Sequence, residues 1–489
     1  MLFNSHIFIL LFLPLLLAGW YFLNWKKKFQ LAQGYLIGMS LWFYAYANLQ
    51  YLWLLLFSCL IGWLLSCVPE KISSEKGKKV LTGVGCVFHL GLLGYFKYSN
   101  FFLENLNTVF HTDFPMLQIL LPVGISFYTF QQLAYLIDRC RGDAPRDSFF
   151  DYLTFMVYFP QLLQGPILLR SEFMEQLKEP ERRRFHAERF SEGIQFFVFG
   201  LAKKVLLADT LAKAVNYGYS NVSMLDSISA LLLAVGYLTE LYFDFSGYCD
   251  MAVGLGKMIG LEVAENFDAP FHSASVKEFW RRWHMTLGRF FTRYVYIPLG
   301  GNRRGKMRTL CNVMIVMLLS GLWHGAAWTF VLWGFLHGVG MIWDNLEHPH
   351  LPKKWMRQAA TFAYVCMTFV FFRAESIAQG VDVLKSIVSL KWNGFVFQMA
   401  SALDLTEFYM ITKALSMKLP GLLSWFWLGI FVVLIAICFR VLSGEKVSGV
   451  VALQRQKGYG RLYPVLLAVL FIWSMISMTG VSEYLYFSF

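Results

Sequence analysis

Long apolar segments alternate with short basic segments along the whole chain. The apolar segments lie at approximately 5–25, 31–48, 49–68, 80–96, 115–137, 150–169, 192–209, 227–243, 246–262, 310–328, 329–346, 357–373, 421–441 and 462–481. A helix needs about 20 residues to cross ~30 Å of hydrocarbon, so we expect about ten to twelve helices, some of them re-entrant. The pattern predicts an all-α polytopic membrane protein that forms a single domain over residues 1–489.

Composition and charge agree with a membrane location. Of 489 residues, 57% are hydrophobic and only 15% are charged, whereas soluble proteins carry about 25% charged residues. The net charge of +12 comes from basic residues between the apolar segments, at 26–28, 71–79, 139–146, 182–184, 281–308 and 353–357. The positive-inside rule places these loops in the cytoplasm, facing anionic membrane lipids. We therefore expect a multi-pass protein of the cytoplasmic (inner) membrane and no nucleic-acid binding.

The first apolar segment is predicted to be a retained helix. Its positive charges, Lys26, Lys27 and Lys28, follow the apolar residues, whereas a signal peptide has its charges in front. The N-terminus should then be extracytoplasmic. The eight cysteines are scattered without CxxC or Cys/His spacing, so we expect neither a disulfide framework nor a metal site.

Residues 149–169 do not read as a simple span. The segment is apolar but contains Pro160, Gly165 and Pro166, and basic residues flank both of its ends. Because proline interrupts a helix and both flanks read as cytoplasmic, we expect the segment to enter the membrane and turn back. Non-helical backbone at depth needs surrounding protein or a water-filled cavity, so Gln161 and Gln164 are candidate lining residues. Two short kinked helices without a cavity are the alternative.

Residues 279–308 form an amphipathic, basic segment on the predicted cytoplasmic side. If residues 280–287 are one helix, a single face carries Trp280, Trp283, His284 and Leu287. The glycine-rich turn at 298–305 then presents Asn302 and Arg303, which could meet a phosphate-bearing ligand. Contact with anionic lipid alone is an equal alternative.

His324 is the strongest candidate for chemistry. It lies in the apolar run 318–330, between Trp323 and Gly325. An ionisable residue at membrane depth is costly and calls for a reason, and imidazole suits proton transfer near neutral pH. The alternative is a neutral histidine that joins two helices by a hydrogen bond.

The run 310–343 around His324 is too long for one crossing, about 51 Å as a single helix, so it must bend or split. Gly321 and Gly325 allow a break or close helix packing. We expect Trp328 one helical turn after His324, and His337 to point away from it in a structural role.

Two aspartates form a second intramembrane group. Asp244 and Asp250 lie in the apolar stretch 242–251, where acids are paired or functional. They could orient a histidine, bind a cation or cap broken helices, and helix capping is the preferred interpretation.

Common soluble-enzyme motifs are missing from the sequence. It contains no GxSxG, Walker A, GxGxxG or HExxH pattern, which argues against the corresponding hydrolase, nucleotide and metalloprotease chemistries. Broken helices and buried charges also mark transporters, so a proton-coupled carrier of acyl groups or lipid-linked sugars stays an alternative.

Three ordered motifs resemble the membrane-bound O-acyltransferase superfamily, and within it the alginate O-acetyltransferase branch. They are 279–284 (FWRRWH), 296–303 (YIPLGGNR) and 321–326 (GLWHGA), supported by 121–130, 158–167, 242–250 and 371–374. The resemblance implies a ring of helices around a central tunnel. It matches His324 to the family's catalytic histidine and His284 to a second histidine near the tunnel. Cys249 departs from the small hydroxyl residues common in the branch.

The resemblance also implies the reaction and its partners. An acyl donor, expected to be acetyl-CoA or another thioester, arrives from the cytoplasm, with no permanently bound cofactor. The acceptor comes from outside, and an extracytoplasmic protein of the SGNH-hydrolase type commonly assists. We expect O-acetylation of an exported polysaccharide that is alginate-, peptidoglycan- or cellulose-like, with D-alanyl transfer to teichoic acid as an alternative. His324 would be the general base, and His284 would orient the donor or stabilise developing charge.

Overall fold

The computed structural model describes residues 1–346, 353–403, 405–442, 446–458, 460, 462–478 and 484–485, and the elements in this part of the chain are helical. The α-helices are α1 (Leu13–Trp25), α2 (Phe29–Asn48), α3 (Leu52–Cys67), α4 (Glu75–Leu93), α5 (Ser99–Phe110), α6 (Ile125–Arg141), α7 (Phe149–Val157), α8 (Phe159–Leu162), α9 (Arg170–Lys178), α10 (Ala187–Ala202), α11 (Asp209–Ser220), α12 (Ser227–Ile259), α13 (Val276–Arg282), α14 (Met285–Phe291), α15 (Lys306–His324), α16 (Trp328–Asn345), α17 (Lys354–Arg373), α18 (Ile377–Val388), α19 (Phe395–Ser401), α20 (Tyr409–Lys418), α21 (Pro420–Leu442), α22 (Val447–Lys457) and α23 (Leu462–Ser477). The π-helical segments are Phe8–Phe12, Gly94–Tyr98, Lys203–Ala208 and Thr292–Tyr296.

Six helical segments of the described chain are long and apolar enough to cross a membrane. They are Phe8–Trp25, Leu49–Cys67, Glu75–Phe110, Ser227–Ile259, Lys306–His324 and Gly421–Val441. The all-α membrane architecture is thus confirmed, while the number of ten to twelve helices stays a prediction. One predicted boundary is wrong, because the segments 227–243 and 246–262 belong largely to the single helix α12.

Basic segments that are distant in sequence meet at one end of the bundle. Arg139 pairs with Glu70 at 2.7 Å, and an Nη1 of Arg183 donates to the carbonyl of Phe29 at 3.2 Å, directly after the lysines at 26–28. Further ion pairs tie together the same region: Arg182–Glu262, Arg289–Glu172 and Arg293–Asp143. Several of the loops expected to share one side of the membrane therefore lie together.

The segment 149–169 enters the bundle and returns. Helix α7 ends at Val157, the short helix α8 carries Pro160 in its first turn, and the chain then runs without helix to α9. Its two ends meet in an ion pair between Arg170 and Asp147. The segment therefore begins and ends at the same end of the bundle, as a re-entrant course requires.

The long apolar run around His324 splits into a helical hairpin. Helices α15 and α16 pack closely over most of their length, and the chain reverses at 325–327. Gly321 and Gly334 make the close approach possible: a Cβ on Gly321 would lie 2.3 Å from the carbonyl oxygen of Phe330, and one on Gly334 would lie 2.5 Å from that of Met317. His324 consequently stands at the tip of the hairpin.

Candidate active site

The end of α15 is held by two side chains from the π-helical segment before α5. Gly325 and Ala327 are extended, which ends the helix at His324. The last carbonyls of a helix have no intrahelical partner. Here the Nζ of Lys97 donates to the carbonyls of Trp323 at 2.7 Å and His324 at 2.9 Å. The hydroxyl of Tyr98 donates to the carbonyl of Leu322 at 2.5 Å. His324 is 3% exposed.

His284 occupies a second helix break. It lies between α13 and α14 with φ of 47°, in the left-handed region that residues other than glycine seldom adopt. The expectation that Trp280, Trp283, His284 and Leu287 share one face of a continuous helix is therefore wrong. The expected burial is nevertheless present, since His284 is 0% exposed.

Asn266 stabilises this break from a neighbouring loop. Its backbone carbonyl accepts from the amide of Met285 at 3.0 Å, and its side-chain Oδ1 accepts from the amide of Thr286 at 3.1 Å. The same Oδ1 lies 3.2 Å from the Nδ1 of His284. Asn266 thus satisfies the first amides of α14 and fixes the orientation of the imidazole.

The two helix breaks bring both histidines to one place. The ring centroids of His284 and His324 are 6.5 Å apart, and the Trp323 ring lies 4.9 Å from His324 and 6.0 Å from His284. Phe372 packs on His324 at 5.1 Å and Phe245 on His284 at 4.7 Å. This arrangement offers two imidazoles to a reacting group inside an aromatic enclosure, which suits general acid–base catalysis.

A small pocket is lined by His324, and a larger cavity is lined by residues that contact the two histidines. A small pocket of about 50 Å³ is lined by Lys97, Leu163, Trp323, His324 and residues 121–127. A larger cavity of about 1800 Å³ between the described helices is lined, among others, by Asn266 and Phe372, the residues that contact the histidine rings. Leu163 belongs to the segment 149–169, so that segment contributes one residue to the lining of the small pocket.

Comparison with known proteins identifies the family. Residues 141–375 match the model of the MBOAT, membrane-bound O-acyltransferase family. The chain is 36% identical to a peptidoglycan O-acetyltransferase of Helicobacter pylori over 80% of each chain. It is 39% identical to a probable alginate O-acetylase AlgI of Azotobacter vinelandii, over 77% of this chain and 76% of the relative. The chain belongs to the membrane-bound O-acyltransferase family. A teichoic acid D-alanyltransferase of Streptococcus thermophilus is more distant, 28% identical over 49% of this chain and 58% of the relative.

Membership confirms the predicted family and makes the chain an O-acyltransferase, which removes the transporter alternative. Two of the predicted lining residues, Trp323 and Gln164, are buried in this acyltransferase. Trp323 contacts both histidines. Gln164 is 0% exposed, and neither its amide oxygen nor its amide nitrogen has a hydrogen-bond partner among the described residues. A buried amide of this kind is available to a ligand or to water.

Other aromatic and amide candidates have structural contacts. The Nε2 of Gln161 donates to the carbonyl of Phe155 within the re-entrant segment. Trp283 stacks on Phe279 with ring centroids 5.3 Å apart. The indole Nε1 of Trp280 donates to His337 at 3.3 Å. These contacts support the walls of the site.

Three predicted candidates lie apart from the histidines. Trp328 is 56% exposed and donates to the Oδ1 of Asn105 at 2.8 Å, because the break at 325–327 removes the expected helical turn between it and His324. Asn302 and Arg303 are exposed in the loop before α15. The length of that helix separates them from His324 by about 27 Å.

His337 keeps its structural role but not its expected position. Trp333 lies one turn before it on α16 and contacts both histidines, with its ring centroid 4.8 Å from His337 and 5.2 Å from His324. Its Nδ1 accepts from Trp280, and its Nε2 lies 2.9 Å from the hydroxyl of Thr368. Both ring nitrogens are therefore occupied by protein groups.

The intramembrane aspartates pair with lysines rather than capping broken helices. Asp244 lies 2.6 Å from Lys204, and Asp250 lies 2.6 Å from Lys203. The capping interpretation is wrong because α12 is continuous through both residues. The two lysines belong to the π-helical segment Lys203–Ala208, which packs on α12. Lys204 is also paired with Asp209 at 2.7 Å.

Sequence analysis missed two residues of this acyltransferase site, Lys97 and Asn266. A signal existed for Lys97, since it is a charged residue at the end of the apolar segment 80–96. Asn266 carries no such signal, because a neutral amide in a loop between helices is unremarkable until the fold brings it to His284.

Proposed function

We propose that this acyltransferase moves acetyl groups from a cytoplasmic thioester, such as acetyl-CoA, toward an exported cell-surface polysaccharide. The observation that carries the proposal is the buried pair His284–His324, whose ring centroids are 6.5 Å apart, with a small pocket lined by His324. The relatives support the acetyl group, since those with the higher identities are named as O-acetyltransferases or O-acetylases of peptidoglycan and alginate. The inner membrane is the location that this reaction requires.

His324 acts as the general base in this proposal. Its imidazole takes the proton from an acceptor hydroxyl as the hydroxyl oxygen attacks the thioester carbonyl. The new C–O bond forms, the C–S bond breaks, and the proton passes to the departing thiolate. General-base assistance of this kind contributes about 10²–10⁴-fold to rate.

Basic residues at one end of the bundle support a cytoplasmic donor. The positive-inside rule puts that end in the cytoplasm, and a nucleotide thioester carries phosphates that arginines bind well. We further propose an extracytoplasmic partner of the SGNH-hydrolase type that completes delivery to the glycan.

Removal of the gene tests the proposal. The exported glycans of the deletion strain are analysed for ester-linked acetate, and the strain is complemented with wild type or with His324→Ala at matched membrane levels. We expect one glycan to lose its acetate, with recovery by wild type alone. Loss of ester-linked D-alanine instead would point to teichoic acid, and unchanged esters in every glycan would contradict the proposal.

A further inference from the structure

The tautomer of His284 follows from the hydrogen bonds around Asn266. A backbone amide can only donate, so the Asn266 atom that meets the amide of Thr286 is the carbonyl oxygen Oδ1. That oxygen cannot donate to the Nδ1 of His284, 3.2 Å away. The Nδ1 must therefore carry the proton and donate it to Asn266.

The other ring nitrogen of His284 is then the one with a lone pair. Nε2 is buried and has no hydrogen-bond partner among the described residues. In the neutral Nδ1–H tautomer it can accept a hydrogen bond or a proton, but it cannot donate. It sits in the same aromatic enclosure as His324, with Phe245 at 4.7 Å closing one side.

We infer that Asn266 is a positioning residue that holds His284 as the Nδ1–H tautomer, so that Nε2 accepts a hydrogen bond or a proton from a substrate O–H or N–H group. Two roles were expected from the sequence, orienting the donor and stabilising developing charge. The inferred role is compatible with the first but not with stabilisation of an oxyanion, because a lone pair repels negative charge. The left-handed backbone of His284, with φ of 47°, fits the same role. Strained backbone of this kind occurs where the surrounding structure fixes a functional side chain.

Asn266 also has a purely structural task, since it binds the amides of Met285 and Thr286. The two roles make different predictions. A residue that acts through His284 has no effect once His284 is gone, whereas a structural residue weakens the protein regardless of His284. Substituting Asn266 and His284 singly and together separates the two cases. The effects on activity are non-additive if Asn266 acts through His284, and they multiply if its role is only structural.

The kinetic test compares four reconstituted proteins, and it builds on the proposed function. Wild type, Asn266→Ala, His284→Ala and the double variant are assayed with radiolabelled acetyl-CoA and membranes of the deletion strain as acceptor. We expect Asn266→Ala to lower kcat by about 10–100-fold, as loss of a histidine's supporting partner does elsewhere, with the KM for acetyl-CoA nearly unchanged. The double variant should have the same kcat as His284→Ala alone. A kcat lowered by the product of the two single effects would overturn the inference.

Two further variants keep the test decisive. Cys249→Ala removes the sulfur that the Nδ2 of Asn266 contacts at 3.4 Å but leaves Oδ1 in place, so it should transfer acetyl like wild type.

Should Asn266→Ala fail to fold, Asn266→Asp retains an acceptor oxygen at the same position. It should restore folding and keep Nδ1 of His284 protonated, and an Nε2–H imidazole in this variant would contradict the inference.

A spectroscopic measurement needs no activity at all. Solid-state NMR of histidine-labelled wild type in lipid, with His284→Ala as the difference control, reports the tautomer of His284 directly. We expect Nδ1–H, and an Nε2–H signal would overturn the inference. If wild type transfers no acetyl while His284 is the Nδ1–H tautomer, the proposed function fails and the role of Asn266 stands.

Discussion

The Nζ of Lys97 lies 2.9 Å from the backbone carbonyl oxygen of His324 and so closes the end of the helix that carries the candidate base. A second bond from the same amine reaches the carbonyl of Trp323 at 2.7 Å. A cation at a helix C-terminus is favourable because it meets the negative end of the helix dipole. The position of His324 therefore depends on a residue that is more than two hundred positions away in the chain.

Lys97→Met is expected to reduce acetyl transfer strongly while the protein still inserts into the membrane. The substitution keeps the length of the side chain but leaves two helix-end carbonyls without their donor, so the tip of α15 should shift. The kcat for acetyl transfer and the melting temperature are measured together. Lys79→Met on the exposed face of α4 is the matched control, and equal activity of the two variants would argue against this role.

His324→Ala should abolish acetyl transfer with little loss of thermal stability. The reason is chemical, since alanine cannot take up a proton. His337→Ala should lower thermal stability instead, because it leaves the partly buried indole N–H of Trp280 without its acceptor at a cost of about 1–3 kcal/mol, while Thr368 keeps its bond to the carbonyl of Val365. Folded His337→Ala is expected to retain transfer. Wild-type rates in purified His324→Ala would remove His324 from the mechanism.

Burial of the aromatic and histidine residues at 279–293 could be predicted from the sequence, but their geometry could not. The spacing of Trp280, Trp283, His284 and Leu287 favours one continuous helix, and three of these four side chains are indeed buried. At the break beside His284, the amides of Met285 and Thr286 donate to the two carbonyl oxygens of Asn266 instead of to the preceding helical turn. Hydrogen bonds to a residue outside the segment cannot be predicted from the spacing of apolar residues within it.

The partners of the buried charged residues could not be predicted from the sequence either. The apolar context of Asp244 shows that it needs a partner, but only the packing of the π-helical segment on α12 supplies Lys204. The position of His324 at a helix break was predictable from two neighbouring glycines. The reversal of the chain after the break was not, because it depends on the close contact between Gly321 and Gly334. This reversal moved Trp328 away and brought His337 back.

The ion pair Lys204–Asp244 is expected to stabilise the fold. Both side chains are 2% exposed, and removal of one partner of a buried pair costs about 3–5 kcal/mol because the other charge stays uncompensated. Lys204→Met should therefore lower the melting temperature markedly. The double variant with Asp244→Asn should recover part of the loss, and thermal unfolding in detergent measures both. Equal stability of Lys204→Met and wild type would contradict a structural role.

His284 is expected to be inaccessible from the cytoplasm. A cysteine placed at 284 should react slowly with a large membrane-impermeant thiol reagent, because the wild-type side chain is 0% exposed. The measurement is made in a Cys311→Ser background, since Cys311 is an exposed cysteine. A cysteine at the exposed position 303 provides the fast reference. Equal rates at 284 and 303 would mean that His284 faces open solvent.

The topology of the re-entrant segment gives the last prediction. Arg146 contacts Glu70 at 3.8 Å and Lys178 contacts Asp147 at 3.9 Å, so residues 146 and 178 lie at the same end of the bundle although the apolar segment 149–169 separates them. The positive-inside rule makes that end cytoplasmic. Single cysteines at 146 and 178, again in the Cys311→Ser background, should both be labelled in inside-out vesicles and protected in intact spheroplasts. Labelling from opposite sides would mean that residues 149–169 cross the membrane completely. The return of this segment to the cytoplasmic side would then be wrong.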